Sequence, residues 1–135
     1  MNKTLIIIAI LVSSLSAQLQ QVVVTKSFLD KNKNLKIIDI RTPPEWKETG
    51  IVKGSYTIMF FNDRGGYDMN KFVSDINKIV KKGERFAIIC RTGSRTGIIA
   101  PYLSDKLKFN VINLKGGITK LIREGYKTTR RSINR

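Results

Sequence analysis

The sequence predicts an α/β fold in which a five-stranded parallel sheet is flanked by helices. Three observations carry that prediction. Short apolar runs alternate along the chain with segments at helical spacing, which is the pattern of strand–helix–strand units. One run, Phe86 to Ile89, has no polar member, as in a strand covered on both faces. The 135 residues make one domain once an N-terminal leader is set aside, with no internal repeat and no second domain.

The elements follow in order. Met1 to Ala17 reads as a secretory signal, with Lys3 in the charged region and small residues before Ala17. Its apolar segment, Leu5 to Val12, has eight residues, whereas a membrane span needs about 20. The domain is expected over residues 18–126. Val22 to Val24 is a first strand, and Ser27 caps a short helix carrying Phe28 and Leu29. Leu35 to Ile40 is the second strand, broken by Thr42-Pro43-Pro44, and a short helix runs from Pro44 to Glu48 until Gly50 stops it. Ser55 to Phe61 is the third strand and Asn62 to Asp68 a loop. Phe72, Val73, Ile76, Ile79 and Val80 recur at helical spacing before Gly83. After the fourth strand, Ile98, Ile99, Tyr102, Leu103 and Leu107 mark a helix that contains Pro101, which costs a hydrogen bond unless it lies near the helix start. Val111 to Leu114 is the fifth strand. Gly116-Gly117 turns the chain into a last helix through Ile118, Leu121 and Ile122, and residues 127–135 form a basic, frayed tail.

Lys+Arg number 25 against 10 Asp+Glu, a formal charge of +15. Such a surplus attracts anions, acidic membranes or nucleic acid. The basic residues form no block before the tail and do not interleave with aromatics, so no specific nucleic-acid module is expected. There is no histidine and one cysteine, so no conventional Cys/His metal site can be assembled.

That cysteine, Cys90, ends the fourth strand and opens a polar loop, Arg91-Thr92-Gly93-Ser94-Arg95. The carboxyl ends of strands are where open α/β sheets place their sites. The loop can aim several backbone N–H groups at one point, and the following helix adds its positive end. Arg91 and Arg95 add two cations. Such a cradle favours thiolate over thiol and suits an anionic substrate. The competing reading is an inert, buried strand-end residue, since free cysteine is among the most buried residue types. Exported proteins usually carry cysteines in pairs, and a single one cannot form an internal bridge. We therefore read Cys90 as a working nucleophile.

Residues 22–126 resemble a single-domain rhodanese. Ile38-Asp39-Ile40-Arg41-Thr42-Pro43-Pro44-Glu45-Trp46 is similar to the family's Asp-x-Arg strand and following helix start. Cys90-Arg91-Thr92-Gly93-Ser94-Arg95 is similar to its catalytic loop, and Leu114-Lys115-Gly116-Gly117-Ile118 to its closing strand and turn. The resemblance implies a three-layer sandwich and sulfur transfer. Cys90 would take the outer sulfur of thiosulfate or another donor as a persulfide and pass it to cyanide or a thiol. The implied partners are a small sulfur-containing anion and a thiol acceptor, acting on a monomer with no cofactor and no metal. Arg91 would steer the anion, and Arg95 would do the same or close the loop through a carboxylate. Asp39 and Arg41 are read as structural ties near the site. Exported one-domain members of the family fit the leader, so a periplasmic location is expected.

The sequence departs from the family at Thr49-Gly50-Ile51, where many members carry Gly-His-Ile; a change in packing rather than chemistry is expected. Two other functions remain open. One is a non-catalytic sulfur carrier or docking module, with Phe60, Phe61 and Tyr67 as a rim if they surround the thiol. The other is a cysteine phosphatase or arsenate reductase. Cysteine phosphatases resemble this loop but have one more residue between Cys and Arg, to enclose a tetrahedral phosphate. The four residues between Cys90 and Arg95 suit a single sulfur atom better.

Overall fold

The computed structural model describes residues 18–134, so the leader expected over residues 1–17 lies outside them. Among the described residues, five strands and five helices alternate: β1 (Leu19–Val23), α1 (Lys26–Lys31), β2 (Lys36–Asp39), α2 (Pro43–Thr49), β3 (Tyr56–Thr57), α3 (Met69–Ile79), β4 (Phe86–Ile89), α4 (Ser94–Asp105), β5 (Val111–Lys115) and α5 (Gly117–Arg123). The strands form one parallel sheet in the order β1-β5-β4-β2-β3.

β4 is central and all four of its residues are buried, as its continuous apolar sequence requires. Each face of the sheet carries its own core. Phe72 and Ile76 of α3 pack with Ile99, Ala100 and Leu103 of α4 against Ile38, Phe86 and Ile88. Ile118 and Leu121 of α5, with Phe28 and Leu29 of α1, pack against Ile37, Ala87 and Ile89 on the other face. The chain leaves β2 toward β3 and leaves β4 in the opposite direction toward β5. The carboxyl ends of β2 and β4 therefore flank the point where the winding reverses, and open α/β sheets bind ligands there.

Several boundaries differ from the sequence expectation. β1 begins at Leu19 and pairs along its whole length with β5. Thr25, rather than Ser27, caps α1, its hydroxyl accepting from the Phe28 N–H at 3.0 Å. The regular part of β3 is only Tyr56–Thr57, although the N–H groups of Ile58 and Phe60 still donate to the carbonyls of Asp39, the last residue of β2, and of Ile40 just after it. The apolar run over 55–61 reflects burial of Ile58 and Phe60 rather than a long strand. α4 starts at Ser94, which puts Pro101 well inside it. The carbonyl of Gly97, four residues back, thereby loses its helical donor; Gly97 is exposed, so water can serve it.

The tail is not frayed. Thr129 exchanges two backbone hydrogen bonds with Ile51, and the Ile133 N–H donates to the Ser55 carbonyl. Asn134 closes the edge of β3, its side chain accepting from the Thr57 N–H at 3.0 Å and donating to the Thr57 carbonyl at 2.9 Å. This docking explains Gly50. Its φ is 75°, in the left-handed region, and a Cβ there would collide with the Arg130 guanidinium and lie 2.6 Å from the Thr128 hydroxyl. The space beside residue 50 belongs to the tail.

Candidate active site

Cys90 leaves β4 into a loop held from behind by α5. The Ile118 and Thr119 N–H groups donate to the Cys90 and Arg91 carbonyls, both at 3.0 Å. That approach needs Gly117, where a Cβ would overlap the Arg91 carbonyl and lie 2.6 Å from the Cys90 carbonyl. With the carbonyls drawn toward α5, the Gly93 N–H points to Cys90 Sγ at 3.2 Å. Gly93 takes φ 98° and is the residue from which α4 departs at Ser94.

The Thr96 hydroxyl, fully buried on the first turn of α4, lies 3.6 Å from Sγ and 3.2 Å from the Gly93 carbonyl. It has one proton and two acceptors within reach. Beside a thiol it can donate to the carbonyl and accept from S–H. Beside a thiolate it can turn its proton to sulfur. Cys90 is 1% exposed and shares a cluster with Ile40, Phe60 and Ile99. The thiol is thus buried, but its loop side is polar. The expectation of several inward amides is corrected: among the described residues, Gly93 supplies the N–H within hydrogen-bond reach, and Thr96 completes the cup.

The two arginines are engaged by carboxylates of α2. Arg95 forms a two-pronged pair with Glu45, both N–O distances being 2.7 Å. Arg91 lies 3.6 Å from Glu45 and 3.5 Å from Glu48, and is half exposed. The Arg95 guanidinium, more than any other group, holds the Glu45 carboxyl down at about 2. Glu45 in turn raises the Arg95 pKa, with smaller contributions from the charges of Cys90 and Asp39. Arg95 closes the loop onto α2 through a carboxylate, and Arg91 is braced by the same helix rather than standing free as a steering charge. Thr92 and Ser94 extend to solvent with their hydroxyls 3.3 Å apart.

Asp39 and Arg41 are completely buried and paired at 2.8 Å. Arg41 also donates to the Gly50 carbonyl and the Thr49 hydroxyl, and the Trp46 indole N–H donates to Asp39 at 3.1 Å. They tie the end of β2 to α2, and through Glu45 they fix the wall that holds Arg95. Sequence reasoning missed Thr96, Glu48 and the roles of Glu45 and Gly117. A carboxylate just after Pro43-Pro44 and an excess of arginine in the loop were the available signal for Glu45.

Two cavities lie near these elements. The larger, about 780 Å³, sits between β3 and α3 and includes Phe60, Tyr67, Met59 and Lys71 but none of residues 90–95. Phe60 is buried and stacks on Tyr67 with ring centres 5.1 Å apart, so these aromatics line a separate recess. The smaller, about 530 Å³, adjoins the loop at Thr92, Gly93 and Ser94. Among the described residues no group of acidic, His and Cys side chains is placed to hold a metal, and no helix is long and apolar enough to cross a membrane.

The fold and site define a class: a parallel α/β domain that carries one cysteine on a tight loop between its central strand and a helix. The chain belongs to the rhodanese-like domain family, whose model matches residues 24–124. Among solved structures it is similar to a rhodanese-related protein from Thermoplasma volcanium, with 23% identity over 82% of this chain and 99% of that one and a TM-score of 0.58. A rhodanese-like domain protein from Staphylococcus aureus is similar at 22% identity, 82% and 98% coverage and a TM-score of 0.57. A protein of unknown function from Rhodopseudomonas palustris, described as a possible tyrosine phosphatase, is similar at 22% identity, 76% and 77% coverage and a TM-score of 0.54. No curated protein matches the sequence. At these identities the neighbours establish the fold.

Proposed function

We propose that the protein is a rhodanese-type sulfurtransferase with Cys90 as its nucleophile. The observation that carries this is the polar cup around Sγ, made by the Gly93 N–H at 3.2 Å and the Thr96 hydroxyl at 3.6 Å at the exit of the central strand. Both groups stabilise negative charge on sulfur. The Cys90 thiolate attacks the outer sulfur of thiosulfate. A bond forms between the two sulfurs, the donor's S–S bond breaks, and sulfite leaves. The enzyme then carries Cys90–S–S⁻, whose terminal sulfur passes to cyanide or a thiolate, regenerating Cys90–S⁻. Because Cys90 is 1% exposed, the cup favours a donor that presents one terminal atom over a bulky ester. The protein acts as an exported monomer, with the leader at residues 1–17 removed.

Intact mass spectrometry after treatment with thiosulfate tests this. The expected result is a gain of one sulfur, removed by cyanide and absent from Cys90→Ser. Failure to gain sulfur from thiosulfate, polysulfide or a protein persulfide would overturn it. The same burial of Cys90 favours a second reading, a binding module that does not turn over. A persulfide that forms but is not discharged by any thiol would select it. Phosphate-ester hydrolysis lost in Cys90→Ser would select a phosphatase, against which the short loop argues. Fractionation of cells carrying the full chain tests export.

A further inference from the structure

We propose that the C-terminal tail is a positioning element of the active site: Thr128 and Arg130 hold the carboxyl end of α2, and α2 in turn holds the two carboxylates that engage Arg91 and Arg95 of the Cys90 loop. The inference rests on the sulfurtransferase reading and adds to it a segment far from the cysteine in sequence.

α2 has seven residues, too few to keep a helical shape without support from outside. The last carbonyls of a helix have no donor within it. The tail serves two of them. The Thr128 hydroxyl donates to the Thr49 carbonyl at 2.7 Å, and the Arg130 guanidinium donates to the Glu48 carbonyl at 3.4 Å. A cation there also suits the negative end of the helix. Just beyond the helix, Thr129 and Ile51 exchange backbone hydrogen bonds of 2.8 and 2.9 Å. Gly50 permits this approach, since Thr128 and Arg130 fill the space that a Cβ would need. On the inner side the buried Arg41 donates to the Gly50 carbonyl at 2.9 Å. The end of α2 is therefore gripped from both sides, by a buried arginine within and by the tail without.

The same short helix carries the loop. Glu45 takes both prongs of Arg95 at 2.7 Å, and Arg91 lies 3.6 Å from Glu45 and 3.5 Å from Glu48. Glu48 joins the two contacts directly: its carboxylate meets Arg91 and its carbonyl receives Arg130. Arg91 and Arg95 bracket Gly93, whose N–H points to Cys90 Sγ at 3.2 Å. Freedom gained by α2 thus passes to the loop that holds the donor to the sulfur.

The test combines Thr128→Val and Arg130→Gln in the full chain. Both keep side-chain size, and the backbone pairing of Thr129 is left in place. NMR titration of the Glu45 carboxyl in isotope-labelled protein should show its midpoint rise by about one unit from about 2, as Arg95 is held less firmly. This measurement needs no sulfur chemistry. A protein that gains no sulfur fails the sulfurtransferase reading, while the Glu45 midpoint still decides the role of the tail. Single-turnover persulfide formation from thiosulfate should slow about fivefold in the double variant, and the slowing should vanish when Glu45→Gln is already present, because the link is then cut. An unmoved Glu45 midpoint, or equal slowing with and without Glu45→Gln, would overturn the assignment. So would a lower urea midpoint with neither of the other changes, since the tail would then add stability alone.

Discussion

Replacing Glu45 by Gln removes the anion that gathers both loop arginines while keeping its size. In the folded protein the Glu45 carboxyl is held at about 2, against its ordinary 4.5. That difference corresponds to about 3 kcal/mol of stability at neutral pH if unscreened. The side chain is 18% exposed and Arg95 24%, so solvent screens part of it, and we expect about 1.5–2 kcal/mol. Because the folded pKa lies below the unfolded one, this contribution is complete above the unfolded pKa and is lost as pH falls through the folded value. It should be intact at pH 7, fall to about 40% by pH 3 and vanish below about pH 2. Urea denaturation of both proteins from pH 7 to 3 measures it. Other carboxylates titrate in both proteins and cancel in the difference. A stability difference that does not change with pH, or none at pH 7, would refute the argument that the arginines are anchored through this charge.

Asp39→Ala should cost about 3–5 kcal/mol, read as a lower urea midpoint, because it strands the fully buried Arg41 without its counter-charge. Gly50→Ala should cost more than about 2 kcal/mol, since it strains a left-handed residue and drives a methyl into Thr128. Thr96→Val keeps the shape but removes the hydroxyl beside Sγ. Single-turnover persulfide formation from thiosulfate should slow about tenfold in that variant, with little change in the donor's half-saturation.

Features written within a few residues of one another were readable from the chain. Cys90 at the end of an all-apolar run, with Gly and hydroxyls after it, could be placed at a strand exit. The alternation of runs and helical spacings was enough for a parallel sheet, as the order β1-β5-β4-β2-β3 bears out. What escaped depends on partners far apart in sequence. Arg95 meets Glu45 across 50 positions, and Asn134 meets Thr57 across 77. A polar, basic segment such as residues 127–134 gives no local signal that it will dock. Thr96 was hidden for another reason: on periodicity it is a first-turn residue, and only the curl of the loop brings its hydroxyl back over the sulfur.

The hydrogen bonds of Asn134 and the pairing of β1 both fall outside residues 24–124, the span by which the family is recognised. The cooperative unit is wider than the recognisable one. A fragment trimmed to the family limits would uncover β5 on one flank and β3 on the other, leaving two bare ladders of N–H and C=O groups. Bare ladders recruit further strands. Such a fragment would keep every atom of the sulfur cup and yet tend to assemble with its own copies.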